Sequence, residues 1–130
     1  MVKEINGSTW DQDVMQSEKP VVVDFWHEQC PWCIKLSPIY EALSEDLEEI
    51  TMAKINILVS DANTEIANRY GIMTTPTIKI FCRGREVGEI VGFMDKESLR
   101  QAISAHLDKS DVCLSQSSPR TSTGEQRQSA

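Results

Sequence analysis

Val21-Val22-Val23-Asp24-Phe25-Trp26-His27-Glu28-Gln29-Cys30-Pro31-Trp32-Cys33 is the stretch whose reading decides the fold. Its first six residues are a short β-branched and aromatic run, as expected of a central strand covered on both faces. From Pro31 the period changes. Leu36, Ile39, Tyr40, Leu43, Leu47 and Ile50 recur at steps of three and four, which predicts a helix with one apolar stripe, kinked at Pro38. A Cys-x-x-Cys pair therefore stands where a buried strand hands over to an amphipathic helix.

On the N-terminal side, Ser8-Thr9-Trp10-Asp11 predicts a helix start with Ser8 as cap, the helix ending before Pro20, and Val2 to Ile5 a further edge strand. On the C-terminal side, Met52 to Val59 predicts a strand and Thr64 to Tyr70 a short helix stopped by Gly71. Thr77 to Cys82 and Glu86 to Val91 flank Arg83-Gly84-Arg85 as a hairpin, and Asp95 opens a last helix carrying Leu99, Ala102, Ile103 and Leu107. Strand–helix–strand runs imply parallel pairing and the hairpin an antiparallel edge, so a mixed sheet with helices on both faces is expected.

The chain of 130 residues is 40% hydrophobic and 25% charged, ordinary for a globular protein and short for two domains. Its 13 basic against 20 acidic residues leave a charge of −7, which argues against nonspecific nucleic-acid binding. No apolar run approaches the ~20 residues needed to cross a bilayer, and no secretory signal is visible at the start. From Ser110 onward the chain is Ser, Thr and Gln with Pro119 and Gly124, and only Val112 and Leu114 as large aliphatics. A domain over 1–109 and a disordered tail over 110–130 are therefore expected. Of the four cysteines, Cys82 is expected to pack in the core, with a regulatory thiol as the alternative, and Cys113 to be exposed in that tail, where mixed disulfides are the alternative role.

Position makes Cys30 reactive. A thiolate at a helix N-terminus meets unpaired N–H groups and the positive end of the macrodipole, so its pKa falls below the usual value of about 8.5. Pro31 suits the first turn, where its missing N–H is not needed, and leaves the Trp32 and Cys33 N–H groups to face the Cys30 sulfur. Cys33, one turn in, lies beside Cys30 as a resolving thiol for exchange through a mixed disulfide. Zinc and a pair of unreactive core cysteines are the competing readings, but a tetrahedral zinc site wants four ligands, and Cys82, Cys113, His27 and His106 form no second knuckle. Asp24, mid-strand, should be desolvated with a raised pKa, either a proton acceptor for Cys33 or a structural buried acid. Lys54 either pairs with Asp24 or snorkels to the surface.

The order of these markers resembles the thioredoxin family across nearly all of residues 1–109. The resemblance rests on Val22 to Trp26 followed by Cys30 and Cys33, then Pro38, Ala53 to Asn56, Tyr70-Gly71-Ile72, Thr75-Pro76-Thr77, Arg83-Gly84-Arg85 and Val91-Gly92. It implies an α/β thioredoxin fold, a central mixed five-stranded sheet flanked by four helices, two on each face. It implies a thiol–disulfide oxidoreductase that reduces protein disulfides, with Cys30 as nucleophile, Cys33 resolving, Asp24 the buried acid and Lys54 its neighbour. Pro76 matches a cis-proline against the disulfide, Thr75 a backbone partner for substrate, Trp26 the tryptophan beneath the site, and Gly92 a glycine of the docking surface. Trp32 also lies on that surface. The implied partners are protein disulfides and a thioredoxin-reductase-like electron donor. The expected molecule is a cytoplasmic monomer with no cofactor beyond its redox-active disulfide, no metal, no nucleic acid and no membrane contact.

Three positions depart from the family. The insert is Pro31-Trp32 where the family usually has Gly-Pro, and Gln29 stands where Trp is usual. Cys-Pro-aromatic-Cys resembles glutaredoxins, so a glutathione-dependent activity is the first alternative and a metal or iron–sulfur module the second. Moving proline away from the position before Cys33 frees an N–H for the Cys30 thiolate. The expected potential therefore lies between thioredoxin, at about −270 mV, and glutaredoxins, at roughly −200 to −230 mV.

Overall fold

The computed structural model describes residues 1–110 and Cys113. Five strands, β1 (Lys3–Glu4), β2 (Val21–Trp26), β3 (Thr51–Asn56), β4 (Thr77–Cys82) and β5 (Arg85–Val91), form one sheet in the order β1-β3-β2-β4-β5. Strands β1, β3 and β2 run parallel, while β4 is antiparallel to both β2 and β5. Helices α1 (Pro31–Asp46), α2 (Asp61–Arg69) and α3 (Lys96–Lys109) and a π-helical segment, Asp11–Met15, complete the fold. The mixed sheet expected from the sequence is the one observed.

Strand β2 is central because it can be buried on both faces. Val21, Val23 and Phe25 point into one cluster with Trp10, Val14, Ile55, Ile66 and Phe81. Val22 points into the other, with Leu36, Tyr40 and Leu43 of α1 and Leu99 and Ile103 of α3. Helical segments thus cover each face in pairs. Trp10 holds the first cluster together, with ring centroids 5.3 Å from Tyr70 and 5.5 Å from Phe81. Burying such side chains contributes about 1.5–3 kcal/mol each.

Several boundaries differ from expectation. Ser8 does not cap the first helical segment. The Asn6 side chain accepts from the Ser8 and Thr9 N–H groups instead, and Gln16 N–H donates to the Asp11 carbonyl, widening the turn to i−5. Strand β3 stops at Asn56, whose side chain accepts from Leu58 N–H and turns the chain. Helix α2 starts earlier, at Asp61, because the Ser60 hydroxyl accepts from Asn63 N–H. Helix α1 continues past Pro38, which has no N–H for the Ile34 carbonyl. The Arg83-Gly84 turn has φ of 52° and 81°, the double positive φ of a two-residue type I′ hairpin.

The largest correction concerns Cys113. It is helical, buried and disulfide-bonded to Cys82, with Cα atoms 5.4 Å apart, rather than exposed. Cys82, expected in the core, is fully buried there. The chain leaving α3 returns to the end of β4, a contact across 31 residues that no local pattern announces. Apart from Ser110 and Cys113, the expected tail lies outside the described residues.

Candidate active site

The carboxyl end of β2 and the start of α1 bring the two sulfurs together. Cys30 is the N-cap of α1 with extended backbone, Pro31 occupies the first turn, and Cys30 and Cys33 are disulfide-bonded with Cα atoms 5.2 Å apart. The Cys33 N–H donates to Cys30 Sγ at 3.1 Å, the capping bond that the helix terminus offers an anion. Trp32 N–H makes no such bond to this sulfur in the disulfide state, so of the two amides expected there only one is engaged.

Pro76 follows a cis peptide bond, and the Thr75 carbonyl oxygen lies 3.4 Å from Cys30 Sγ. Pro76 is buried, and its carbonyl accepts from Gly92 N–H at 2.9 Å, which ties the proline loop to the turn after β5. Gly92 has φ of 95°, a conformation that favours glycine. Trp32 is 54% exposed and packs on Phe93, with ring centroids 5.5 Å apart, while the Lys35 ammonium lies 5.1 Å over the indole. Phe93 and Lys35 flank Trp32, and Met73 and Ile34 are exposed apolar side chains close in sequence to the site, all beyond the residues found in the sequence. Phe93 follows Gly92 directly and Met73 precedes the Thr75-Pro76 loop. Adjacency was the available signal.

Asp24 and Cys33 line one cavity of about 50 Å³ with Val2, Trp26, Ile34, Ser37, Tyr40, Glu41 and Lys54. Such a space has room for water. Asp24 is buried and its Oδ1 has no partner among the described residues. Burial pushes its carboxyl up to about 7, and the Lys54 charge pulls in the opposite direction. Lys54 sits opposite Asp24 in the β2–β3 register without forming an ion pair, its ammonium 5.0 Å over the Trp26 ring. It therefore acts on Asp24 through its field. Tyr40, whose signal in the sequence was only a place on the apolar stripe, shares its hydroxyl proton between the Val22 and Ala53 carbonyls, at 2.9 and 2.8 Å. Burial, and then the Asp24 charge, raise the Tyr40 pKa, so it stays a donor.

Among the described residues, no three or more His, Cys, Asp or Glu side chains gather as a metal site, and no helix is long and apolar enough to cross a membrane.

A disulfide closing one helical turn at a helix N-terminus, faced by a cis-proline and backed by a buried carboxyl, defines a thiol–disulfide oxidoreductase. The family model Thioredoxin matches residues 1–105. A thioredoxin of Streptomyces clavuligerus is 39% identical over 99 residues, covering 76% of this chain and 90% of that protein. One from Rickettsia bellii is 37% identical over 108 residues, covering 82% and 100%. Thioredoxin 1 of a Nostoc strain is 35% identical over 105 residues, covering 80% and 95%. The chain belongs to the thioredoxin family, and its Cys30–Cys33 pair fits the Cys-x-x-Cys redox centre of that family.

Proposed function

We propose that Cys30 is the nucleophile and Cys33 the resolving thiol in the reduction of protein disulfides. The Cys30 thiolate attacks one sulfur of a substrate disulfide, the substrate S–S bond breaks, and a mixed disulfide forms as the first substrate thiolate leaves. Asp24 takes the Cys33 proton through the shared cavity, and the Cys33 thiolate then attacks Cys30 Sγ. The second substrate thiolate departs, two electrons have passed to the substrate, and the Cys30–Cys33 disulfide remains. Lys54 is a positioning residue that keeps Asp24 ionisable near neutral pH. The observation that carries this reading is Cys30 Sγ held as the N-cap of α1 by the Cys33 N–H, beside the carbonyl preceding the cis-proline.

Thr75, Pro76, Gly92, Trp26 and Trp32 form the substrate-binding surface. The Thr75 backbone pairs an extended substrate segment across Cys30, and the exposed indole of Trp32 covers its flank. The electron donor is a thioredoxin-reductase-like protein rather than glutathione, in keeping with the buried acid and the β1–helix unit at the N-terminus. The reading includes a domain over 1–109, a tail over 110–130, a cytoplasmic monomer, and no metal or cofactor besides the disulfide. The net charge of −7 disfavours nucleic acid as a partner.

Trapping tests the assignment. Cys33→Ser in the full chain should accumulate mixed disulfides through Cys30 with proteins of a cell extract, released by dithiothreitol, whereas Cys30→Ser should accumulate none. Equal trapping by both variants refutes the division of roles.

A further inference from the structure

We propose that Cys82–Cys113 is a second redox site, a clasp that fastens the C-terminal end of α3 to β4 and opens only after the Cys30–Cys33 bond. The established exchange chemistry does not use it. Cys82 closes β4 at the end remote from Thr77, which follows the cis-proline. At ~3.3 Å per residue the two ends of that strand are about 17 Å apart. The sulfurs of the two pairs therefore belong to opposite edges of the molecule.

The clasp holds what packing does not. The buried residues of α3 are Leu99 and Ile103, and none of its last six residues is fully buried. Beyond Ile103, Ser104, Ala105, Asp108 and Lys109 are exposed, His106, packed against the Gly88 backbone, is half-buried, and Leu107, also half-buried, is the one apolar side chain that reaches the core. The last turns of α3 carry little apolar burial and would fray at low cost. Cys113, held by the Cys82 bond and with its N–H donating to the Ser110 hydroxyl, anchors the chain immediately past those turns.

Order of opening follows from access and charge. Cys82 is 0% and Cys113 5% exposed. Cys30 is scarcely more exposed, but its neighbours Gln29, Pro31 and Trp32 all face solvent and leave an approach to its sulfur. Cys33 N–H favours a thiolate at Cys30, whereas no N–H among the described residues donates to the sulfur of Cys82 or Cys113. Poorer thiolates are displaced more slowly. Opening is a balanced two-electron step. One thiolate of a dithiol attacks one sulfur and expels the other cysteine, the second thiol of the dithiol then displaces the attacked cysteine, the reductant leaves as a cyclic disulfide, and Cys82 and Cys113 each gain a hydrogen. In a compartment kept reducing by thiols such a clasp is conditional, closed only when the pool turns oxidising.

The test uses the oxidised full chain titrated with dithiothreitol, alkylated at each step and read by mass spectrometry, with amide hydrogen exchange in parallel. The expected result is alkylation of Cys30 and Cys33 first and of Cys82 and Cys113 at least tenfold more slowly. With the second step, exchange at Ala105 to Ser110 should accelerate at least tenfold and Tm should fall by roughly 10–20 °C, while α1 amides at Tyr40 to Ser44 are unchanged. Cys113→Ser should show the fast exchange from the outset and keep the Cys30–Cys33 exchange rate. Free Cys82 or Cys113 in the oxidised chain, simultaneous opening of both bonds, or exchange at Ala105 to Ser110 that ignores the second step would each overturn the proposal.

Discussion

Replacing Asp24 by Asn tests both the electrostatics of the site and the role of its acid. The carboxyl has an ordinary value of 3.8 and is raised to about 7 by burial, against the pull of Lys54. Between those values the folded state binds a proton that the unfolded chain has released, so stability falls as pH rises. At 1.36 kcal/mol per pH unit, the accumulated penalty is about 4 kcal/mol, fully present above pH 7 and absent below pH 3.8. That is a large share of the 5–15 kcal/mol that holds a typical domain together. Asn carries no titrating charge but buries amide donors that lack partners, at a cost of about 1–3 kcal/mol. Asp24→Asn should therefore be more stable than wild type by about 1–3 kcal/mol at pH 8.5, and less stable by about 1–3 kcal/mol at pH 3.5. Denaturant unfolding of both proteins across this range gives the difference, in which all other carboxylates cancel. The same variant should slow resolution of the mixed disulfide by about a hundredfold at pH 7, as loss of a general base does. A stability difference that stays constant from pH 3.5 to 8.5 would refute the account of the buried charge. An unchanged rate of resolution would refute the proton transfer while leaving the electrostatics intact.

Two further outcomes follow from the same geometry. Lys54→Met removes the one charge that lowers the Asp24 pKa, so the pH midpoint of mixed-disulfide resolution should move upward, and a midpoint that does not move shows that the field of Lys54 does not reach Asp24. The Trp32 N–H, which a proline at that position would lack, is available to a Cys30 thiolate once the disulfide opens. Equilibration with glutathione should then give a Cys30–Cys33 potential above about −270 mV, lowered in Pro31→Gly/Trp32→Pro, and a value at or below that of ordinary thioredoxin contradicts it.

Much of the fold was legible because its decisive signals are local. The unbroken Val21 to Trp26 run, the change of period after Pro31, and the Arg83-Gly84 turn each report the backbone that their own side chains require. Boundaries were less legible where a side chain some residues away decided them. Asn6 rather than Ser8 caps the first turn, and Ser60 starts α2 three residues before its apolar pattern would. In the site, Cys30 and Cys33 could be found from spacing alone. The alternatives for Lys54 could not be resolved that way, because its place over Trp26 depends on how β3 registers against β2.

By itself the sequence determined that a strand hands two cysteines to the first turn of a helix, since β-branching, apolar period and the proline at that turn are properties of neighbouring residues. Only the tertiary structure decided what surrounds those sulfurs and which other cysteines meet. Phe93 reaches Trp32 from beyond β5, the Asp24 cavity is closed by residues of β2, β3 and α1, and Cys113 finds Cys82 across 31 residues. The physical reason is one of range. A dihedral preference acts within a turn, whereas desolvation of a carboxyl or the closing of a long loop exists only after the chain has packed.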